Sequence, residues 1–313
     1  MVIQTEHLSA DAAVWLAERC RLVACRPGSA EFDRAIGEAC GMVVRTYTIV
    51  DDKLLDRAGN LRVVGRAGVG LDNIDVAACR RRSIEVVYTP DANTQAVVEY
   101  VVCLLGDALR PRVSLEHAVD VATWNQLREE TVGKRQMNQL TLGILGLGRV
   151  GKRLAEVARA IGFQVLYNDV EVMPPEQRFG AEPVDARTLF ATADVVSVQV
   201  DGRPSNRKFI NAELIARMKP QAIFINTSRG LVVDNLALAD WLRGNPQSLA
   251  MLDVHDPEPI DEKYPLLGVP NARLYPHLAS RTETAMNNMS WVVKDVIAVL
   301  EGKPPRFAAP QCC

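Results

Sequence analysis

The stretch Leu142-Gly-Ile-Leu-Gly-Leu-Gly-Arg-Val-Gly151 constrains this chain more tightly than any other. Its glycines at 146, 148 and 151 form a GxGxxG pattern directly behind an apolar, strand-like run. Directly ahead lies a segment whose apolar residues Val150, Leu154, Val157, Ala158 and Ile161 recur at helical spacing. A second strand-like run, Gln164 to Asn168, leads into Asp169, 23 residues after Gly146. Strand, glycine turn, helix, strand and acidic residue are together the context a dinucleotide-binding βαβ unit requires. Gly146 permits the tight turn, Gly148 lets a pyrophosphate approach the backbone, and Gly151 lets the helix pack closely on the strand. The pyrophosphate would sit against amide N–H groups at the positive end of the helix. Asp169 can accept hydrogen bonds from the adenosine ribose hydroxyls and would repel a 2′-phosphate, and no Arg or Lys follows in Val170 to Pro174. The expected cofactor is NAD rather than NADP, held by Gly146, Gly148, Arg149, Val150, Gly151 and Asp169.

The chain is long for one hydrophobic core at 313 residues, so two domains with a cleft between them are expected. From Arg21 to Arg110 the short runs Arg21–Ala24, Met42–Arg45, Leu61–Arg66 and Glu85–Tyr88 read as strands alternating with helical stretches. A long apolar helix is expected over residues 93–109. After a polar stretch over 123–139 a second series follows, at Leu140–Leu145, Gln164–Asn168, Val195–Val200, Ala222–Asn226, Leu249–Val254 and Arg273–Tyr275. Such alternation predicts an α/β protein with two Rossmann-like or flavodoxin-like parallel sheets. A last helix is expected over residues 283–300, followed by a loose tail beyond Lys303.

Net charge is only -2, with both signs scattered, so a nucleic-acid or anionic-membrane partner is not expected and a small molecule is. Neither a signal segment nor a membrane span is legible, and a cytoplasmic protein is expected. The seven cysteines, Cys20, Cys25, Cys40, Cys79, Cys103, Cys312 and Cys313, lack CxxC spacing. They read as free thiols, with no metal site.

Three polar residues follow strands of the second series: Arg229, Glu258 and His277. Ligands of open α/β sheets bind at the carboxyl ends of strands, where these residues would lie. Reducing a 2-oxo acid requires a cation for the carboxylate and carbonyl and an acid to protonate the developing alkoxide; Arg and His suit those tasks, and a carboxylate beside His would hold its tautomer. Taken singly, each has a structural alternative: a strand-end ion pair, a solvated loop residue, a satisfied interior histidine.

Taken in order, these blocks resemble the D-isomer-specific 2-hydroxyacid dehydrogenase family over nearly the whole chain. Arg66-Ala-Gly-Val-Gly-Leu-Asp-Asn-Ile-Asp75 is similar to its substrate-loop signature and Asn226-Thr-Ser-Arg-Gly230 to its arginine block. Asp253-Val-His-Asp-Pro-Glu-Pro259 resembles its glutamate block, and Pro276-His277 its histidine block. The resemblance implies that His277 is the acid/base, Glu258 its partner and Arg229 the holder of carboxylate and carbonyl. It further implies that the N–H groups of Val69 and Gly70 bind the substrate carboxylate, that Thr227 and Asp253 lie at the cofactor, and that the protein is a homodimer. A discontinuous substrate domain, 1–97 with 282–313, and an NAD domain, 98–281, follow from the same likeness. The phosphoglycerate dehydrogenase-like branch is the nearest in pattern, without its C-terminal regulatory extension. Corepressor-type NAD(H) sensors resemble the same family and keep the same three residues, so a non-catalytic binding protein is the alternative.

The sequence departs from the family pattern at Val198-Gln-Val-Asp-Gly-Arg-Pro-Ser205 and at Arg281. Arg45, Arg66 and Arg281 would add positive charge to a substrate pocket. A substrate with a second anionic group is one reading, since arginine binds such groups in a fork. Pairing of these arginines with Asp72, Asp91 or Glu283 is the other. His7, His117 and His255 are given no role, and Asn73 and Asp75 read as loop and helix-cap residues.

Overall fold

The computed structural model describes residues 1–310 and divides into two compact units. Cys312 and Cys313, two of the seven expected thiols, lie outside the described residues; the five described cysteines are free.

The first unit comprises Met1–Asn93 together with the chain from Ser280 onward. Its elements are β1 (Val2–Gln4), α1 (Ala10–Ala17), β2 (Leu22–Ala24), α2 (Ala30–Ala35), β3 (Gly41–Val44), α3 (Asp52–Leu55), β4 (Val63–Arg66), α4 (Val76–Arg81) and β5 (Glu85–Tyr88). All pairs are parallel, in the order β2-β1-β3-β4-β5, the flavodoxin-like order. Successive strand residues alternate between two cores. Ile3, Met42, Val44, Val64 and Val86 face a layer that includes Phe32, Leu55 and Cys79. Val2, Val43, Val63 and Val87 face Leu16 and the C-terminal Val292, Val293 and Val296. Coverage of both faces is why these strands read as unbroken apolar runs.

The second unit is Thr94–Ala279. It contains α5 (Thr94–Leu109), α6 (Val121–Glu130), β6 (Thr141–Leu145), α7 (Arg149–Ile161), β7 (Gln164–Asn168), β8 (Glu182–Pro183), α8 (Ala186–Thr192), β9 (Val195–Val198), α9 (Ala212–Ile215), β10 (Ile223–Asn226), α10 (Asn235–Gly244), β11 (Leu249–Leu252) and β12 (Ala272–Leu274). The parallel sheet runs β12-β11-β10-β9-β6-β7-β8. Its order reverses at β6 and β9, so the topological switch point lies beside the glycine turn that follows β6. One core layer gathers α5 and α7 on the sheet, and the other gathers α8, α9 and α10.

Four features differ from the sequence reading. β1 was not expected, yet it sits inside the first sheet between β2 and β3; three residues are too few to show a period. β8, only two residues long, escaped for the same reason. The expected single helix over 283–300 is two, α11 (Glu283–Ser290) and α12 (Val293–Leu300). The tail is not loose as far as it is described. Ala308 makes an antiparallel bridge to Val87, Ala309 donates its N–H to the Val86 carbonyl at 2.7 Å, and Arg306 donates its N–H to Asp295 at 2.6 Å. It supplies backbone partners to β5, the edge strand of its sheet, a requirement that composition does not reveal.

Candidate active site

The glycine turn has the shape a dinucleotide needs. Gly146 has φ 98°, and a Cβ there would lie 2.8 Å from the Gln199 carbonyl oxygen. A Cβ on Gly151 would lie 2.1 Å from the Gly146 oxygen, so helix and strand can meet only without a side chain at that position. Gly148 is the opposite case: it precedes α7, is exposed, and a Cβ there would meet nothing within 4 Å. Its smallness serves no intramolecular packing and leaves the backbone open to a pyrophosphate. Arg149 is exposed in the first turn of α7, and Val150 packs half-buried on the core. Asp169 accepts the Leu147 N–H at 2.5 Å and the Glu171 N–H at 3.0 Å, which places its carboxylate against the glycine turn. These residues fit a nicotinamide dinucleotide.

The three polar residues gather at the carboxyl ends of β10, β11 and β12. Asn226, fully buried at the end of β10, accepts the Ser228 N–H at 3.0 Å and donates its side-chain amide to the Arg229 carbonyl at 3.0 Å. It folds the turn that presents the half-buried Arg229. Thr227, buried in the same turn, is tied to Gln199 by a 3.0 Å hydrogen bond. The next residue, Gly230, carries the backbone of the loop after β11: a Cβ there would lie 1.9 Å from the His255 carbonyl carbon. That contact brings the Arg229 turn and the Glu258 loop together. Glu258 Oε2 lies 2.8 Å from His277 Nδ1, and Oε1 accepts the His255 N–H at 2.7 Å. Burial raises the Glu258 carboxyl, but the hydrogen bond and charge of His277 and the His255 N–H outweigh it and leave it below its ordinary value.

His277 has φ 57°, a left-handed conformation that costs energy for a side chain with a Cβ. Asp253 holds it there by accepting the N–H groups of Leu278 and Ala279, each at 2.8 Å. Asp253 is fully buried, with Tyr100 close to its carboxylate. Sequence reasoning counted it among cofactor contacts; its observed hydrogen-bond partners are the backbone N–H groups after His277. In the loop after β9, Asp201 pairs with Arg203 through two side-chain hydrogen bonds, and Arg207 with Asp256 at 3.0 Å.

The first unit carries the remaining residues that the sequence singled out, Val69, Gly70, Arg66, Arg45 and Arg281. The N–H groups of Val69 and Gly70 make no hydrogen bond among the described residues. Gly68 lets the Arg66 guanidinium fold over the backbone, where a Cβ would lie 2.3 Å from Arg66 Nη1. Arg45 follows β3, which pairs in register with β4 up to Arg66. Its guanidinium lies half-buried, 2.9 Å from Met286 Sδ. Burial lowers the Arg45 pKa, Glu6 opposes that, and the charge of nearby Arg281 adds to it. Neither Arg45 nor the exposed Arg281 has an ion pair among the described residues.

Sequence reasoning missed Glu6. Its carboxylate accepts the consecutive N–H groups of Arg45, Thr46, Tyr47 and Thr48 at 2.9–3.2 Å, while Asn73 donates to the carbonyls of Arg45 and Thr48. No local pattern could have flagged it, because donors and acceptor lie about forty residues apart. Burial raises the Glu6 carboxyl, and the N–H groups of Tyr47, Thr48, Arg45 and Thr46 outweigh it, so it ends below its ordinary value. A lowered folded-state pKa stabilises above the unfolded value, and that stability is lost as pH falls through the folded value. Glu6→Gln is therefore expected to cost about 2 kcal/mol at neutral pH, with the wild-type advantage shrinking as pH drops below the ordinary glutamate range. Denaturant unfolding of both proteins across pH 3–7 checks this; a constant difference contradicts it.

With this geometry in hand, comparison with known proteins is decisive. Residues 102–279 match the family model described as D-isomer specific 2-hydroxyacid dehydrogenase, NAD binding domain. The chain belongs to the D-isomer specific 2-hydroxyacid dehydrogenase family. It is 32% identical over 311 residues to a D-3-phosphoglycerate dehydrogenase of Archaeoglobus fulgidus, covering 98% of this chain but only 58% of that one. It therefore spans little more than half the length of that relative. It is 38% identical over 256 residues to an (S)-sulfolactate dehydrogenase of Chromohalobacter salexigens, covering 81% and 82% of the two chains. Among solved structures, D-lactate dehydrogenase of Aquifex aeolicus with NAD and lactic acid superposes with a TM-score of 0.82, at 25% identity over 96% of both chains. Two parallel-sheet units of this kind are the architecture of that family's solved members. No helix among the described residues is long and apolar enough to cross a membrane.

Proposed function

We propose that this chain is an NAD-dependent dehydrogenase that interconverts a D-2-hydroxy acid and its 2-oxo acid, and that this acid bears a second anionic group. The observation that carries the reading is the 2.8 Å contact between His277 Nδ1 and Glu258, set beside Arg229 by the Gly230–His255 contact. With Nδ1 engaged by Glu258, Nε2 is the atom of His277 left to exchange a proton with the C2 oxygen. Glu258 holds the ring orientation, as a carboxylate beside a catalytic histidine does. Arg229 offers a fork of donors to carboxylate and carbonyl oxygens. The bound nicotinamide would donate or accept the hydride at C2; Gly146, Gly148, Gly151 and the start of α7 would hold its pyrophosphate, and Asp169 its ribose. Val69 and Gly70 supply N–H donors for the substrate carboxylate.

The second anionic group rests on Arg45, Arg66 and Arg281. Two relatives are named for acids with a phosphate or a sulfonate; the lactate enzyme is named for one without. A homodimer is part of the same reading. None of the ten residues of α6 is buried, and Val121 and Trp124 are 77% and 49% exposed, a face that calls for a cover.

The test follows NADH absorbance with pyruvate, glyoxylate, hydroxypyruvate, phosphohydroxypyruvate, oxaloacetate and sulfopyruvate, on protein whose mass is read by light scattering. NADH is expected to outperform NADPH, and a doubly anionic acid to exceed pyruvate at least about tenfold in kcat/KM, with particles of twice the chain mass. Arg45→Gln or Arg281→Gln should each remove about tenfold of that preference, the loss of one charge-assisted hydrogen bond. Equal rates with pyruvate would sink the second anion, and NADH binding without oxidation by any acid would sink the dehydrogenase.

A further inference from the structure

His255, to which the sequence assigned no role, touches Glu258 and the backbone two residues before His277. Its Nε2 lies 2.8 Å from the Tyr275 carbonyl oxygen, which can only accept, so this nitrogen carries the proton and donates it. In the neutral ring Nδ1 is then an acceptor, and the Tyr264 hydroxyl, 3.1 Å away, donates to it. The two rings meet edge to face at 5.3 Å. Tyr264 is 4% exposed, and burial, with the charges of Asp256 and Glu258, raises its hydroxyl far above ordinary, which keeps it a donor. The bonds run from Tyr264 through the His255 imidazole to the backbone two residues before His277. The His255 N–H meanwhile fixes the other oxygen of Glu258.

His277 is thereby held from both sides. Behind it, Asp253 binds the N–H groups of Leu278 and Ala279; ahead of it, His255 binds the Tyr275 carbonyl. A left-handed residue persists only where its surroundings over-determine it, and these two clamps do so. We infer that His255, oriented by Tyr264, is a positioning residue that holds His277 in register with Glu258. The inference rests on the proposed roles of those two residues. Small displacements of a proton-transferring group cost rate out of proportion to stability, so the effect falls on kcat.

The experiment compares His255→Leu, which has no donor, with His255→Gln, whose amide nitrogen can reach the Tyr275 carbonyl, using the best 2-oxo acid of the panel. His255→Leu is expected to lower kcat about thirtyfold, with KM for the acid and Kd for NADH each changing less than about threefold. His255→Gln should keep kcat within about threefold of wild type. Tyr264→Phe should lower kcat modestly, and adding it to His255→Leu should cost nothing more, because both act through one bond. Equal loss of kcat in the Leu and Gln variants, or full kcat in His255→Leu, overturns the inference. Additive losses in the double variant overturn the role given to Tyr264. A wild-type protein that turns over no 2-oxo acid overturns the proposed function, and this inference with it.

Discussion

Replacing His277 with alanine is expected to lower kcat by about three orders of magnitude, within the range general acid–base catalysis contributes, while NADH affinity stays within about threefold. The separation follows from where the groups sit. The residues fitted to the dinucleotide lie at the glycine turn after β6 and at Asp169 after β7, whereas His277 follows β12 at the far side of the sheet. Removing the imidazole takes away the histidine ring paired with Glu258 but leaves the glycine turn intact. Glu258→Gln should fall less, by about 10- to 100-fold, because the amide still reaches Nδ1 but no longer offers a charge. Steady-state reduction of the best 2-oxo acid gives kcat, and quenching of protein fluorescence gives the NADH affinity. Turnover surviving in His277→Ala at more than about a tenth of the wild-type rate would assign the proton to another group.

The second large effect is expected from one methyl group. Gly230→Ala would put a Cβ 1.9 Å from the carbonyl carbon of His255 and 2.1 Å from its oxygen. Both are backbone atoms, so no rotamer relieves the overlap and one of two loops must shift. Forcing atoms into a packed site costs about 3 kcal/mol, at the upper end of the usual range. Both loops carry groups of the proposed site, Arg229 on one and Glu258 on the other, so kcat/KM should drop at least about a hundredfold even in the fraction that stays folded. Gly148→Ala is the contrast, since a Cβ there meets nothing within 4 Å. Its melting temperature should match wild type while NADH affinity falls, because the methyl group takes space that the pyrophosphate needs. Thermal unfolding and NADH titration of the two variants separate the cases. A stable, active Gly230→Ala protein would show that the two loops are not locked together.

Much of this arrangement is legible in the chain because its causes are local. The glycine turn is an example: strand, turn and helix are contiguous, and the tightness at Gly146 and Gly151 arises within a few residues of each. Arg229, Glu258 and His277 could be proposed because each follows a recognisable strand. The helix cap at Asp75, which accepts the Ala78 N–H at 2.7 Å, is local in the same sense. The hydrogen-bonding roles of Glu6, Asn226 and His255 were not legible. Glu6 acts on a turn some forty residues on, and His255 on the carbonyl of Tyr275, twenty residues later. A histidine that faces a carbonyl and a buried phenol looks in sequence like one facing solvent.

The sequence by itself determined the α/β class, the two parallel series and the place of the glycine turn, since periodicity and glycine spacing express short-range sterics. Only the tertiary structure decided which distant groups complete the site and the sheets. It seated β1 between β2 and β3, packed α12 on Gly65, where a Cβ would lie 2.4 Å from Val296, and tied the tail to β5. It also bent His277 into a left-handed conformation against Asp253. Buried backbone and carboxylate groups must find hydrogen-bond partners wherever the fold brings them, and that pairing is set in space rather than along the chain.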